Sequence, residues 1–208
     1  MREDAALSMD RKESITAGED TIAAISTAPG IGAVAIIRLS GVRAWEIGRS
    51  LAKDREKYDT IQERIARVIN LVHPQTGIPL DQALIVKYRA PESFTGEDVI
   101  EFQCHGGYAV PAAVLGAVKD AGARQALPGE FTRRAFLNGR LDLAGAEAVD
   151  LLVQSRSEAG RLLALNSLNG ALGREVEKLR EELIELKATL EYDIDFPEEE
   201  PLKDEGVS

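Results

Sequence analysis

Two hydrophobic rhythms divide the chain. Up to about residue 127 the apolar residues come in short, β-rich runs broken by Pro/Gly turns. TIAAIS (21–26) and AVAIIRLSG (33–41) flank the turn APGIG and read as strands. VRAWEIGRSLAKD (42–54) reads as a helix. RIARVINLV (64–72), QALIVKY (82–88) and DVIEFQCHG (98–106) read as further strands, separated by HPQTGIPLD and RAPESFTGE. GYAVPAAVLGAVKDAG (107–122) reads as a helix, with Pro111 in its first turn and Gly122 as its stop. ARQAL (123–127) closes the region as a short strand. Strands alternate with helices, yet two strands are joined by only a short loop. The pattern predicts an α+β fold, a mixed sheet with helices packed on it.

Beyond Pro128 the period changes to that of helices. GEFTRRAFLNG (129–139) reads as a short helix ended by Gly139, and LAGAEAVDLLVQS (143–155) as a second one with Asp142 as N-cap. Ser155 and Glu158 have capping-box spacing. Leu165, Leu168, Leu172, Val176, Leu179, Leu183, Leu186 and Leu190 then step by three or four, with charged residues between them. This predicts one helix of roughly 35 residues, about 50 Å long, with a single apolar seam. Such a seam needs a surface of similar length. The expectation is that it packs on another copy or on residues outside this chain.

Composition narrows the function classes. The chain has 208 residues, with 35 Asp and Glu against 25 Lys and Arg, a net charge of −10. Phosphate backbones are held by clustered cations, so a chain this acidic is not expected to hold nucleic acid by its own field. The one cysteine, Cys104, excludes an internal disulfide and suits a cytoplasmic location. No apolar run reaches the roughly 20 residues of a membrane span, so no membrane partner is expected. Residues 1–19 are polar and mixed in charge and read as a flexible extension.

The densest chemistry lies in SFTGEDVIEFQCHGG, residues 93–107. On a strand, Ile100, Phe102 and Cys104 share one face, while Glu101, Gln103 and His105 share the other. Cys104 belongs with the core set, where a cysteine acts as a small hydrophobe rather than a nucleophile. His105 and His73 are the only histidines and lack a metal-ligand pattern, so His105 is expected to bond locally at the strand end. Thr95, Gly96, Glu97 and Asp98 are expected to shape the preceding loop, with Gly96 at positive φ. Gly106–Gly107 reads as a tight turn. Arg133 and Arg134 read as a solvated helix surface in so acidic a chain. Glu101, by spacing alone, is a solvent-facing residue of a half-exposed sheet.

SFTGEDVIEFQCHGG, followed by PGEFTRRAFLNGRLDLAGAEAVDLL, resembles the N-terminal part of the tRNA modification GTPase family MnmE, also called TrmE. DTIAAISTAPGIGAVAIIRLSG (20–41), ALNSLNGALGREV (164–176) and DIDFPEEE (193–200) resemble it too. The resemblance runs from residue 20 to about residue 200. It implies an N-terminal domain similar to the tetrahydrofolate-binding domain of aminomethyltransferases, then a helical domain interrupted by a GTPase domain. It further implies a homodimer through the N-terminal domains, 5-formyl-tetrahydrofolate or a related one-carbon tetrahydrofolate near that interface, and a flavoprotein partner of the MnmG type. Together these would add an aminomethyl-type group to carbon 5 of the wobble uridine of tRNA, with Arg133 and Arg134 as candidates to touch the tRNA in the full assembly. GTP, magnesium and potassium would belong to a GTPase domain. The chain contains no G-x-x-x-x-G-K-[ST] loop. It is therefore read as an N-terminal portion, without GTP hydrolysis or independent activity of its own.

The resemblance assigns the folate to Arg38, Glu101 and Arg140, with Arg140 standing where many members have lysine. No catalytic residue and no metal ligand is assigned. Glu101 would accept the N–H and amino fork of a pterin, and an arginine would meet the anionic glutamate tail. Without the resemblance, Arg38 is an ion-pair partner within the fold and Arg140 a solvated residue after a helix end. The expected layout is an extension (1–19), a folate-binding and dimerisation domain (20–138), the first part of a helical domain (139–195) and an acidic linker (196–208). Two alternatives stand beside it: a dimerisation scaffold without ligand, and a freestanding folate-dependent aminomethyltransferase-like enzyme.

Overall fold

The computed structural model describes residues 20–195. The expected extension and linker lie outside them. In chain order the elements are β1 (Ile22–Ile25), β2 (Val34–Ser40), α1 (Ala44–Leu51), α2 (Arg55–Asp59), β3 (Arg67–Val72), β4 (Pro79–Tyr88), β5 (Val99–His105), α3 (Ala109–Asp120), β6 (Arg124–Gln125), α4 (Glu130–Leu137), α5 (Leu143–Gln154), α6 (Glu158–Leu168) and α7 (Ala171–Asp195). They form two compact units that divide in the chain between Arg140 and Leu141.

The first unit is an α+β fold around one mixed six-stranded sheet, in the order β3-β4-β5-β2-β1-β6. The pairings from β3 through to β1 are antiparallel, and β6 runs parallel to β1. Alternation along the strands places Ile37, Leu39, Ile85, Ile100, Phe102 and Cys104 in the buried core. That face is sealed by helices. α1 turns Ala44, Ile47, Gly48 and Leu51 inward at helical spacing, and α3 does so with Val114, Ala117 and Val118. Gly48 is required there, because a Cβ would lie 2.4 Å from Ile100 and 2.6 Å from the Tyr58 hydroxyl.

The hydrophobic pattern did not predict α2. Its signal is local: Asp54 caps it by accepting from the Lys57 N–H at 2.8 Å. Only Tyr58 of this helix is buried, and its hydroxyl donates to the Trp45 carbonyl. One buried residue in five is too few for a period to register.

In the second unit the expected single long helix is two. α6 ends at Leu168, and α7 begins at Ala171 after Gly170 takes a left-handed φ of 74°. The leucine spacing continues through Asn169–Gly170, but the backbone there stops the first helix, and Arg174 donates to the freed Asn169 carbonyl. α7 has 25 residues and is about 37 Å long. Ser157, not Ser155, caps α6, accepting from the Gly160 N–H. Ser155 closes α5 instead, donating its hydroxyl proton to the Leu152 carbonyl. Asp142 caps α5 as expected. Leu172, Val176, Leu179, Leu183, Leu186 and Leu190 of the seam are all exposed.

Candidate functional site

The site is on the sheet face opposite the helices. Register sets Arg38 of β2 directly across from Glu101 of β5, and Glu101 across from Val86 of β4. The Arg38 guanidinium donates from Nε to Glu101 Oε1 at 2.8 Å, and its terminal nitrogen lies 2.7 Å from the same oxygen as an ion-pair contact. Among the described residues, Oε2 accepts nothing. It also retains solvent contact, because no buried side-chain oxygen or nitrogen lacks a partner. The Arg38 side chain keeps 26% of its surface and that of Glu101 11%. Glu101 is therefore more enclosed than a solvent-facing strand residue.

Aromatic rings frame the pair. The Arg38 guanidinium lies 5.4 Å from the Phe94 ring centre and 5.8 Å from that of Phe131, both within cation–π range. Tyr88, on β4, feels the same pair. Burial pushes its hydroxyl pKa up, and the Glu101 charge adds to this while Arg38 opposes it. An acceptor oxygen, a cation and three aromatic side chains thus converge on one half-open face.

Residues 93–98 cross this face and are held by a second set of polar contacts. Gly96 has the expected positive φ, 79°, and a Cβ there would meet Asn138 at 2.9 Å and the Arg140 stem at 3.2 Å. Asn138 donates to the Thr95 carbonyl. Thr95 and Ser40 share a 2.6 Å hydroxyl contact, and Ser40 also lies 2.6 Å from Glu97 as donor. Glu97 in turn receives Arg134 on both oxygens, at 3.1 Å each. Arg134 further donates to the Asp20 carbonyl and carboxylate and to Glu130. Arg124 bridges Asp20 and Glu130 from the other side.

The cluster moves its acids. Burial, the largest single influence, pushes the Asp20 and Glu130 carboxyls up. The bonds from Arg124 and Arg134 outweigh it, joined at Glu130 by the Leu127 N–H, and both carboxyls end below the usual range.

Arg38 and Glu101 are therefore brought into direct contact. Arg140 is exposed, lays its stem on Gly96, and forms no ion pair among the described residues. Arg133 is exposed, but Arg134 is buried and belongs to neither reading made from the sequence. The signal was present: Glu130 and Arg134 are four apart on α4, the spacing of a helical ion pair. Cys104 is buried and its thiol is pushed up to about 12 by burial, so it is inert as a thiolate. His105 bonds locally, its ring Nδ1 lying 2.7 Å from Asp81. No group of acids, histidines and cysteine suited to a metal occurs among the described residues. Gly106 marks a close backbone crossing, where a Cβ would lie 2.0 Å from the Gly32 carbonyl oxygen.

Residues 21–140 match the family model described as the GTP-binding protein TrmE N-terminus, and residues 143–208 match that of the MnmE helical domain. The chain belongs to the MnmE family. A tRNA modification GTPase MnmE of Moorella thermoacetica is 48% identical over 183 residues, covering 87% of this chain and 40% of that protein. Those of Acetivibrio thermocellus and Thermotoga maritima are 44% identical over 180 residues, covering 86% of this chain and 39% of each protein. The chain thus spans about two fifths of the length of these family members, and the part it spans is the N-terminal and helical portion. No helix among the described residues is long and apolar enough to cross a membrane.

Proposed function

We propose that the first unit binds a one-carbon tetrahydrofolate, such as 5-formyl-tetrahydrofolate, on the open sheet face. Glu101 would hold the pterin, with Oε2 accepting from the ring N–H or the adjacent amino group. Phe94 and Phe131 would flank a planar ring. Arg140, exposed and without an ion pair among the described residues, suits the anionic glutamate tail better than Arg38, which is committed to Glu101 and orients it. The observation that carries the reading is the unequal use of the two Glu101 oxygens at a face lined by aromatic rings. The folate supplies the one-carbon unit; these residues bind and orient it.

In the whole protein this unit would act as a homodimer in the cytoplasm, with an MnmG-type flavoprotein, to add an aminomethyl-type group to carbon 5 of the wobble uridine of tRNA. GTP, magnesium and potassium would be handled by a GTPase domain, whose G-x-x-x-x-G-K-[ST] loop does not occur in these 208 residues, so they alone would not hydrolyse GTP. Support comes from the names and shared portion of the relatives. Calorimetric titration of 5-formyl-tetrahydrofolate into the chain, beside Glu101→Ala, tests the site. Saturable binding near one ligand per chain, lost in the variant, is the expected result. No heat from a folded dimer, established by light scattering, would leave a scaffold in place of a folate protein.

A further inference from the structure

We propose that Arg134 is the positioning residue of the site. It fixes residues 93–98 over the sheet and through them sets where Phe94 and the Arg38–Glu101 pair face a ligand. Three observations converge. Arg134 is buried, and its guanidinium joins three parts of the chain: Asp20 two residues before β1, Glu97 in the loop, and Glu130 on its own helix. The carboxylate of Glu97 then passes the constraint to Ser40 and Thr95, both fully buried. Ser40 is two residues from Arg38 on the same strand, so both point to the same face. Thr95 adjoins Phe94, whose ring lies against Arg38, and the other ring against Arg38 is Phe131, three residues before Arg134 on α4.

A fork is needed here, not only a charge. One terminal nitrogen of Arg134 serves Asp20 and Glu97 while the other serves Asp20 and Glu130. A lysine ammonium is a single point and cannot span the same acceptors. Arg134→Lys therefore keeps the charge among the three acids but releases the loop. Groups that hold a binding side chain from behind are worth about tenfold or more in affinity where this has been measured at metal sites. A similar loss is expected here, without loss of the fold.

The test uses the full chain and two independent readouts. Amide hydrogen exchange of residues 93–98 in the free protein needs no ligand, and the affinity for 5-formyl-tetrahydrofolate rests on the folate reading. Faster exchange confined to this loop in Arg134→Lys, with binding about tenfold weaker, is the expected result. Unchanged exchange overturns the proposal, as does unchanged affinity in a chain whose wild type binds. If the wild type binds no folate, the folate reading falls, and the exchange measurement still decides the role of Arg134. Should Arg134→Lys fail to fold, Glu97→Gln cuts the same link from the loop side, with the same two readouts.

Discussion

Two guanidinium–carboxylate sites on the first unit differ in how completely they are closed. Around Arg134 and Arg124, every oxygen of Asp20, Glu97 and Glu130 accepts a hydrogen bond, and Glu130 also takes the Leu127 N–H. Around Arg38, one oxygen of Glu101 takes both guanidinium contacts and the other accepts nothing among the described residues. A closed cluster has nothing left to offer a ligand, and its role is to hold elements together. An open pair keeps an acceptor and a route to solvent. The difference separates the residues that build the site from those that meet its ligand.

The largest effect should come from opening the closed cluster. Arg134→Leu leaves Glu97 without a cation and leaves Asp20 and the nearly buried Glu130 with Arg124 alone. Breaking a buried pair from one side costs about 3–5 kcal/mol. Trp45, the only tryptophan, packs against the core of the first unit, so its fluorescence during urea unfolding reports on this unit. A midpoint near that of the wild type would mean the cluster is well hydrated and holds nothing.

Acid should open the same cluster more gently. Asp20 and Glu130 have folded pKa values below their ordinary ones, 3.8 and 4.5. They contribute stability above those values and lose it as the pH falls through the lower, folded ones. The urea midpoint of the wild type should therefore drop below about pH 4, and drop less in Arg134→Leu, where each of these acids has already lost one of its two arginines. Equal acid sensitivity in the two proteins would place the titrating groups elsewhere.

These two sites were unequally legible in the sequence. Alternation around Glu101 gave its face, and the family motif suggested the role proposed for it. Neither revealed that Arg38 stands opposite it, because strand register depends on pairing between β2 and β5, which lie 63 residues apart at this point. Arg134 was harder. Adjacent arginines on a short helix in an acidic chain look solvated, and burial came from Asp20, 114 residues away. The sheet itself was readable because alternation is local. The break at Gly170 was not, since an apolar step of three and four continues across it, and only backbone conformation shows the helix stopping. α2 escaped because a one-turn helix with a single buried residue has no period to detect.

The smallest stability effect should come from the open pair, and its smallness is the point. Glu101→Gln keeps an acceptor for Arg38 and removes only the charge, and the Arg38 side chain is already part-exposed. Pairs with solvent access contribute about 0–1 kcal/mol, so the urea midpoint should hardly move. Affinity for 5-formyl-tetrahydrofolate should fall much further, because the uncharged amide presents an NH2 group in place of Oε2 and cannot accept the ligand's N–H there. A stability loss as large as that of Arg134→Leu would make Glu101 a structural residue like Glu130, and the two sites would then be alike. A protein that stays folded and loses its ligand would locate the function at the Glu101 oxygen that accepts no hydrogen bond among the described residues.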